Sequence, residues 1–441
     1  MKRLTWALVA FLALPVWGAI ATGESASPAG LVSEDGRNRT LPSVAASTSP
    51  RATAQPEMPA AIGAPAWKRK ITRIASGRSM GISVRLDGDV LYERAAKVRR
   101  LPASNEKLLL SMALYASLGT DLRMKTEASS GSLDGEVVRG DLYVLGTGDP
   151  TIAATKQHAR SFPFRATRIS SLARRIRDAG VREITGSVVG AISYFSRDWF
   201  APGWKSYFPS RYIPLPSALS FNGNRVRGVH INDPEVRVAR SLTKKLRKVG
   251  VVVRGSPGAG TPPAGLARIA TVRSEPLKTL VGYMNRSSSN FFAEVLGKRL
   301  GVKEYGRPGT IAKAAAAVKA WTDGHNVVVK AYDGSGLSYS NRISARGMAR
   351  SLAAAERQVW GPQLRSSLPR GDQGTLEDRL KGIPVRAKTG TLTNISTLSG
   401  WVRSKKAQRW AAFSIMSSGM SKATAEDVED RIVRILRRSA R

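Results

Sequence analysis

The stretch "RRLPASNEKLLLSMALYASLG", residues 99–119, constrains the fold more than any other part of the chain. From Leu108 to Leu118 it is apolar on every side of a helical wheel, interrupted only by Ser111 and Ser117. A helix with no polar face has to be buried on all sides. Lys107 nevertheless stands immediately before the run, one turn after Ser104. An ammonium group is strongly hydrated and costly to desolvate, so its place at the mouth of a buried helix asks for a chemical reason. Spacing of three puts Ser104 and Lys107 on one helical face. In a first turn the lysine also meets the positive end of the helix dipole, which disfavours its charged form. Both features suit a lysine that takes a proton from a serine. The bland alternative is that Ser104 caps the helix and Lys107 is solvated.

The chain offers few other routes to an activated nucleophile. It has 441 residues and no cysteine, which excludes a disulfide framework, a thiol nucleophile and a thiolate metal site. Its three histidines, His158, His230 and His325, lack metal-ligand spacing and read as surface or loop residues, so no metal or other cofactor is implied. A lysine whose pKa is lowered by burial and nearby positive charge is the usual substitute for a histidine base.

Charge and the N-terminus address location. With 70 Lys and Arg against 32 Asp and Glu, the formal net charge is +38, which implies polyanionic surroundings. Met1-Lys2-Arg3, the apolar "LTWALVAFLALPVWGAI" and Ala19-Ile20-Ala21 form the three regions of an export signal over residues 1–21. A single-pass anchor competes with that reading. Export directs the charge toward anionic cell-wall polymers or a membrane surface, in the periplasm or the extracellular wall, and away from nucleic acid. Residues 22–66, rich in Ala, Ser, Pro, Thr and Gly, are expected to be a disordered linker.

Beyond it, "GISVRLDGDVLYER" alternates around Asp87-Gly88 as a hairpin does. Residues 123–275 mix short strand patterns with basic helical stretches, "SSLARRIRDAG" and "EVRVARSLTKKLRKVG", as an α/β module would. Segments Ile395 to Val402 and Trp410 to Met416 read as an antiparallel pair. The closing "EDVEDRIVRILRRSAR" reads as a helix packed on a sheet through Val428, Ile432, Val433, Ile435 and Leu436, with a membrane-surface helix as the alternative.

Two further short motifs accompany Ser104 and Lys107: Ser288-Ser289-Asn290 and Lys388-Thr389-Gly390. Alone, the first could be a polar helix start or a turn and the second a strand end followed by a turn. In the order S-x-x-K, S-x-N, K-T-G they resemble the signature of class A β-lactamases and penicillin-binding proteins. "LPASNEKLL", "LYVLGTGDPTI", "PLPSALSFNGN", "YDGSGLS" and "RAKTGTLT" resemble more specifically the D-alanyl-D-alanine carboxypeptidase/endopeptidase (S13) family of low-molecular-mass penicillin-binding proteins.

This resemblance implies an α+β fold: a β-lactamase-like antiparallel sheet flanked by helices, built from residues 67–122 and 276–441, with 123–275 as one inserted α/β domain. Members of the family typically carry two extra domains here, and the short step from "SFNGN" to "GVHINDPEVRVARSLTKKL" implies that the smaller, nested one is missing. It implies a serine DD-peptidase that hydrolyses peptidoglycan stem peptides ending in D-Ala-D-Ala and is inhibited by β-lactams. By the same resemblance Ser104 is the nucleophile, Lys107 its base, Ser288 the proton relay and Asn290 a holder of the substrate backbone. Lys388 is a cation for the substrate's terminal carboxylate, Thr389 binds that carboxylate, Gly390 allows close approach, and Thr391 with Ser104 supplies the oxyanion hole.

One departure is Ala191, in "GAISYF", where relatives commonly carry a carboxylate that reads the stem. A non-catalytic, basic wall-binding or scaffold protein remains the alternative of another class. A β-lactamase is disfavoured by the long interval between Ser104 and Ser288 and by the lack of a Glu-x-x-Leu-Asn loop after Ser288.

Overall fold

The computed structural model describes residues 64–441. The expected signal peptide and nearly all of the expected linker lie outside the described residues. The first described element is the helix Ala66–Ala75, whose first residue falls inside the stretch expected to be linker.

Five antiparallel strands form the central sheet, in the order Val385–Leu392, Ile395–Arg403, Trp410–Ser418, Met80–Leu86 and Asp89–Arg94. The first hairpin of the fold therefore pairs with the last strand, Met80 opposite Ser417, and the sheet can be completed only once both ends of the chain are present. Asp87 and Gly88 both take positive φ at the predicted turn, as a tight hairpin requires. Alternation along the strands divides the sheet into two faces. Ile82, Val84, Leu398, Phe413 and Ile415 meet the helix Ala66–Ala75 and the C-terminal helix Lys422–Ser439 in one core. Of the predicted stripe on that last helix, Val428, Ile432, Val433 and Leu436 are buried there, while Ile435 packs at its edge.

On the other face lies a helical layer. The all-apolar helix runs from Glu106 to Leu118 and ends at Gly119 with φ of 71°, and residues 106–115 are all buried. Around it pack helices Leu277–Ser287, Asn290–Tyr305, Ile311–Asp323 and Ala345–Glu356. The pattern "SEPLKTLVGYMNRSSSNFFAEVLGKRLG" is helical throughout, but the structure breaks it at Ser288, which adopts a left-handed φ of 54° and restarts the chain in a second helix capped by the Ser289 side chain.

Residues 123–275 leave and rejoin this body through neighbouring strands, Lys125–Ser130 and Ala267–Arg273, paired antiparallel. Both belong to a five-stranded sheet, and the residues between them add its other three strands and a separate four-stranded sheet. The helices Ile169–Asp178 and Pro234–Lys248 join both sheets into one core that includes Val144, Leu172, Ile184, Leu242 and Val253. Other residues of the segment pack elsewhere: Phe162, Phe195 and Ala218 join the core around the buried helix, and Trp204, Phe208 and Ile213 pack with Ile311 and Leu337.

Candidate active site

The serine turn is fixed before any side chain reaches a reactant. Ser104 occupies a single 3-10 turn, Ala103–Asn105, ahead of the buried helix. Ala103 holds a φ of 48°, uncommon for a residue with a side chain. The turn is tied to the strand Ile395–Arg403 by two buried hydrogen bonds: Asn105 Nδ2 donates to Ser399 Oγ at 2.8 Å, and Thr397 Oγ1 donates to the Pro102 carbonyl at 2.9 Å. Ser104 remains partly exposed, and its side chain does not cap the helix. Lys107 is fully buried. Its Nζ lies 3.1 Å from Ser104 Oγ and 2.8 Å from Asn290 Oδ1, and it also donates to the Ser335 carbonyl.

Those three neighbours decide what a neutral Lys107 can do. Two are carbonyl oxygens, which only accept, so the two N–H bonds of a neutral amine go to Asn290 and Ser335. The remaining lone pair faces Ser104 Oγ, the one neighbour able to donate. Burial pushes the Lys107 pKa down to about 8, while the nearby carboxyls of Asp333, Glu294 and Glu106 hold it up against that desolvation. The amine is therefore poised near neutrality, as a general base should be.

The second pair sits opposite. Lys388, on the strand Val385–Leu392, is fully buried; its Nζ donates to Ser288 Oγ at 2.9 Å and to the Thr389 carbonyl at 2.7 Å. Ser288 owes its position to the helix break, which turns the chain so that Ser288 and Asn290 reach the two lysines separately. Burial lowers the Lys388 pKa well below the ordinary lysine value, and Lys107 lowers it further. Gly390 has no room for a side chain: a Cβ there would stand 2.3 Å from Thr397 Oγ1 and 2.9 Å from both the Pro102 carbonyl and the Ser104 nitrogen. Only glycine lets this strand run so close to the serine. Thr389 donates to Thr375 Oγ1 at 2.7 Å, and Thr391 is exposed at the strand end beside the cleft. All eight residues singled out in the sequence are thus brought to one place.

A model of the D-Ala-D-Ala carboxypeptidase 3 (S13) family matches residues 72–229 and 226–439. The chain belongs to that family. Family membership makes it a penicillin-binding serine DD-peptidase of the carboxypeptidase kind. A carboxypeptidase of Mycobacterium tuberculosis is 29% identical over 354 residues, covering 76% of this chain and 74% of its own. The D-alanyl-D-alanine carboxypeptidase of Actinomadura sp. (strain R39) is 25% identical over 442 residues, covering 78% of each. Among solved structures, penicillin binding protein 4 of Haemophilus influenzae matches with a TM-score of 0.70 at 19% identity, covering 84% of this chain and 99% of that one. The structural likeness carries the expected fold, an antiparallel sheet flanked by helices with an insert.

Within this S13 frame, sequence reasoning missed the carboxyls beneath Lys107. Asp333 accepts from Trp204 Nε1, Ser335 Oγ, Asn341 Nδ2 and the backbone N–H groups of Gly336 and Ser338, and so shapes the loop that offers the Ser335 carbonyl to Lys107. Glu294 Oε1 accepts from the backbone N–H groups of Gly334 and Ser335 and pins the same loop from the helix side. Its pKa is raised to about 8, first by burial and then by Asp333. Glu106, buried with neither oxygen partnered among the described residues, is raised well above the carboxylate range by burial and by both neighbouring acids. The signal was present as charged letters inside apolar helices, in "NEKLLL" and "NFFAEVL", and as a glycine-bracketed acid in "YDGSGLS".

Two readings change. Lys388 was expected to face the substrate's carboxylate directly, but it lies behind Ser288 with no exposed surface, which suits proton supply to that serine better. Ala191 is buried at a strand end, Ala191 opposite Gly260, and does not line the cavity beside Ser288. That cavity, about 490 Å³, is walled by Ser288, Asn290 and Phe292 of the peptidase body and by Pro150, His158 and Phe162 of the insert. The insert thereby forms one wall of the cleft.

Proposed function

We propose that this S13 enzyme cleaves the bond between the two terminal D-alanines of peptidoglycan stem peptides through an acyl-enzyme on Ser104. The observation that carries the assignment of residues is the 3.1 Å approach of a fully buried Lys107 Nζ to Ser104 Oγ, with its other two neighbours acceptors only. Neutral Lys107 takes the Ser104 proton as Oγ attacks the carbonyl carbon. The oxyanion forms against the backbone N–H groups of Ser104 and Thr391, where fixed donors contribute about 3 kcal/mol each. Ser288 passes a proton to the departing amine of D-alanine and is resupplied by Lys388, which recovers one from the protonated Lys107, so that Lys107 is neutral again. Thr389 and Thr391 face the departing residue's carboxylate. Water then hydrolyses the ester, and Lys107 assists a second time as base. A β-lactam follows the first half of the same route and leaves slowly because its amine stays tethered.

The localisation we propose is outside the cytoplasm, in the periplasm or the wall, on the strength of the basic, apolar and small-residue regions of residues 1–21. The net charge of +38 supports salt-sensitive retention on anionic wall polymers or a membrane surface. Retention and catalysis are compatible, and the intact lysine–serine pairs favour an enzyme over a scaffold alone. The test uses a fluorescent penicillin and a defined stem pentapeptide. Wild type is expected to be labelled and to release D-alanine, and Ser104→Ala to do neither. Equal labelling of the two proteins overturns the assignment.

A further inference from the structure

The face of the central sheet that carries Ser104 holds a second cavity at the far end of its strands. The strand Ile395–Arg403 passes the serine turn at Thr397 and Ser399 and continues to Trp401 and Arg403. At about 3.3 Å per residue, Arg403 lies roughly 20 Å beyond Thr397. A cavity of about 710 Å³ opens there, lined by Arg85, Arg357, Arg403 and Arg409 together with Trp401 and Trp410. It is too distant to be part of the cleft for a dipeptide end.

Its charge is not balanced from within. The two acids on its wall are Asp87 and Glu356. Asp87 is paired with Arg409, and Glu356 with Arg365. Arg357 and Arg403 form no ion pair among the described residues. Arg85 gives Nη1 to the Gly88 carbonyl at 2.7 Å, but its Nε is buried and has no acceptor. Trp401, with no exposed surface, leaves its indole N–H without an acceptor as well. Burial and the charges of Arg350, Arg346 and Arg357 all lower the Arg85 pKa, against the opposing pull of Glu93.

Folded chains seldom leave buried donors unpaired, and those that do so are candidates for an external acceptor. Three guanidinium groups without counter-ions, converging from a hairpin, a helix end and a strand, suit a tetrahedral group that accepts on several sides. A carboxylate presents only two oxygens in one plane. The volume also exceeds that of a bare oxyanion.

We propose that this cavity is a second binding site, for a phosphate ester carrying a small polyol or sugar, free or as the repeat of a phosphodiester polymer. Arg85, Arg357 and Arg403 hold the phosphoryl oxygens, and Trp410 walls the cavity beside them. The inference does not depend on the chemistry assigned to Ser104.

Calorimetric titration of the full chain with sn-glycerol 3-phosphate at about 0.15 M salt tests it. Saturable binding at one site is expected, weakened at least tenfold in Arg403→Gln and in Arg85→Gln. The double variant Lys244→Gln/Lys248→Gln, which removes more charge from an exposed helix of the insert, is expected to bind as wild type does. Penicillin labelling of Ser104 reports that each variant is folded. If Arg85→Gln does not fold, the exposed Arg403 decides the matter alone. Absence of saturable heat, or equal weakening by the insert variant, overturns the proposal. Vesicles of phosphatidylglycerol separate the sources: an Arg403-dependent attachment identifies a lipid headgroup, and attachment indifferent to Arg403 beside intact glycerol phosphate binding identifies a soluble or polymeric ester. Both keep the site.

Discussion

Among the described residues three lysines are buried, and their surroundings differ in one respect. Lys107 has acids near it but no carboxylate in contact: its Nζ meets a hydroxyl and two carbonyls, while Asp333, Glu294 and Glu106 act from further away. Lys388 has no acid acting on it, only Ser288, a carbonyl and the field of Lys107. Lys298 has a carboxylate in contact, Asp198 Oδ1 at 2.5 Å, with the Ser196 and Asp198 carbonyls beside it. Direct pairing locks a charge in place and spends the lysine on structure. Acids held at a distance temper desolvation enough to leave an amine that can both lose and regain a proton. The comparison separates a structural lysine from two chemical ones by the position of the nearest carboxylate rather than by burial, which all three share.

Substitutions can break or refine this contrast. Lys107→Ala removes the base and is expected to slow penicillin acylation by about two to four orders of magnitude, read by stopped-flow quenching. Gly390→Ala drives a methyl into Thr397 Oγ1 and the serine turn, and displacement on the order of an ångström is expected to cost about a hundredfold in acylation without loss of the folded state by circular dichroism. An unchanged rate there would separate the strand from the serine.

The pH profile comes next. Because Lys107 is active when neutral and titrates at about 8, acylation is expected to rise as pH climbs through that value and to level off above it. In Glu294→Gln the carbonyl oxygen can still take both backbone N–H bonds, but a carboxyl that ionises in the same range as Lys107, and then raises its pKa, is gone, so the rising limb moves slightly to lower pH. A limb that stays in place removes Glu294 from the tuning. Smallest in activity is Lys298→Met. It is expected to leave acylation at wild-type rates and to lower stability by about 1–3 kcal/mol, seen in urea unfolding, because Asp198 is partly exposed and can rehydrate.

Much of this was legible in the letters. The all-apolar run after Lys107 forced a buried helix, the Asp87-Gly88 pair made a hairpin, and the three short motifs marked the two serines, the two lysines and Asn290 that meet at the cleft. Positions that depend on long-range packing were not legible. The serines at 287–289 allow a turn or a helix start, and Ser289 does cap the second helix, but no letter there specifies the left-handed φ of Ser288. The depth of Lys388 follows from strand register, Lys388 opposite Ser399, and from the helical layer above it. The acids under Lys107 come from three separate segments whose meeting no spacing encodes.

The insert departs and returns through one antiparallel pair of strands, Lys125–Ser130 beside Ala267–Arg273, and supplies Pro150, His158 and Phe162 to the wall facing Ser288 and Asn290. The same segment also gives Trp204 to Asp333 and Asp198 to Lys298. An exchange between relatives that retailors which peptide side chain is admitted therefore has to carry those two contacts with it, so selectivity evolves under a constraint set by the reactive side of the pocket.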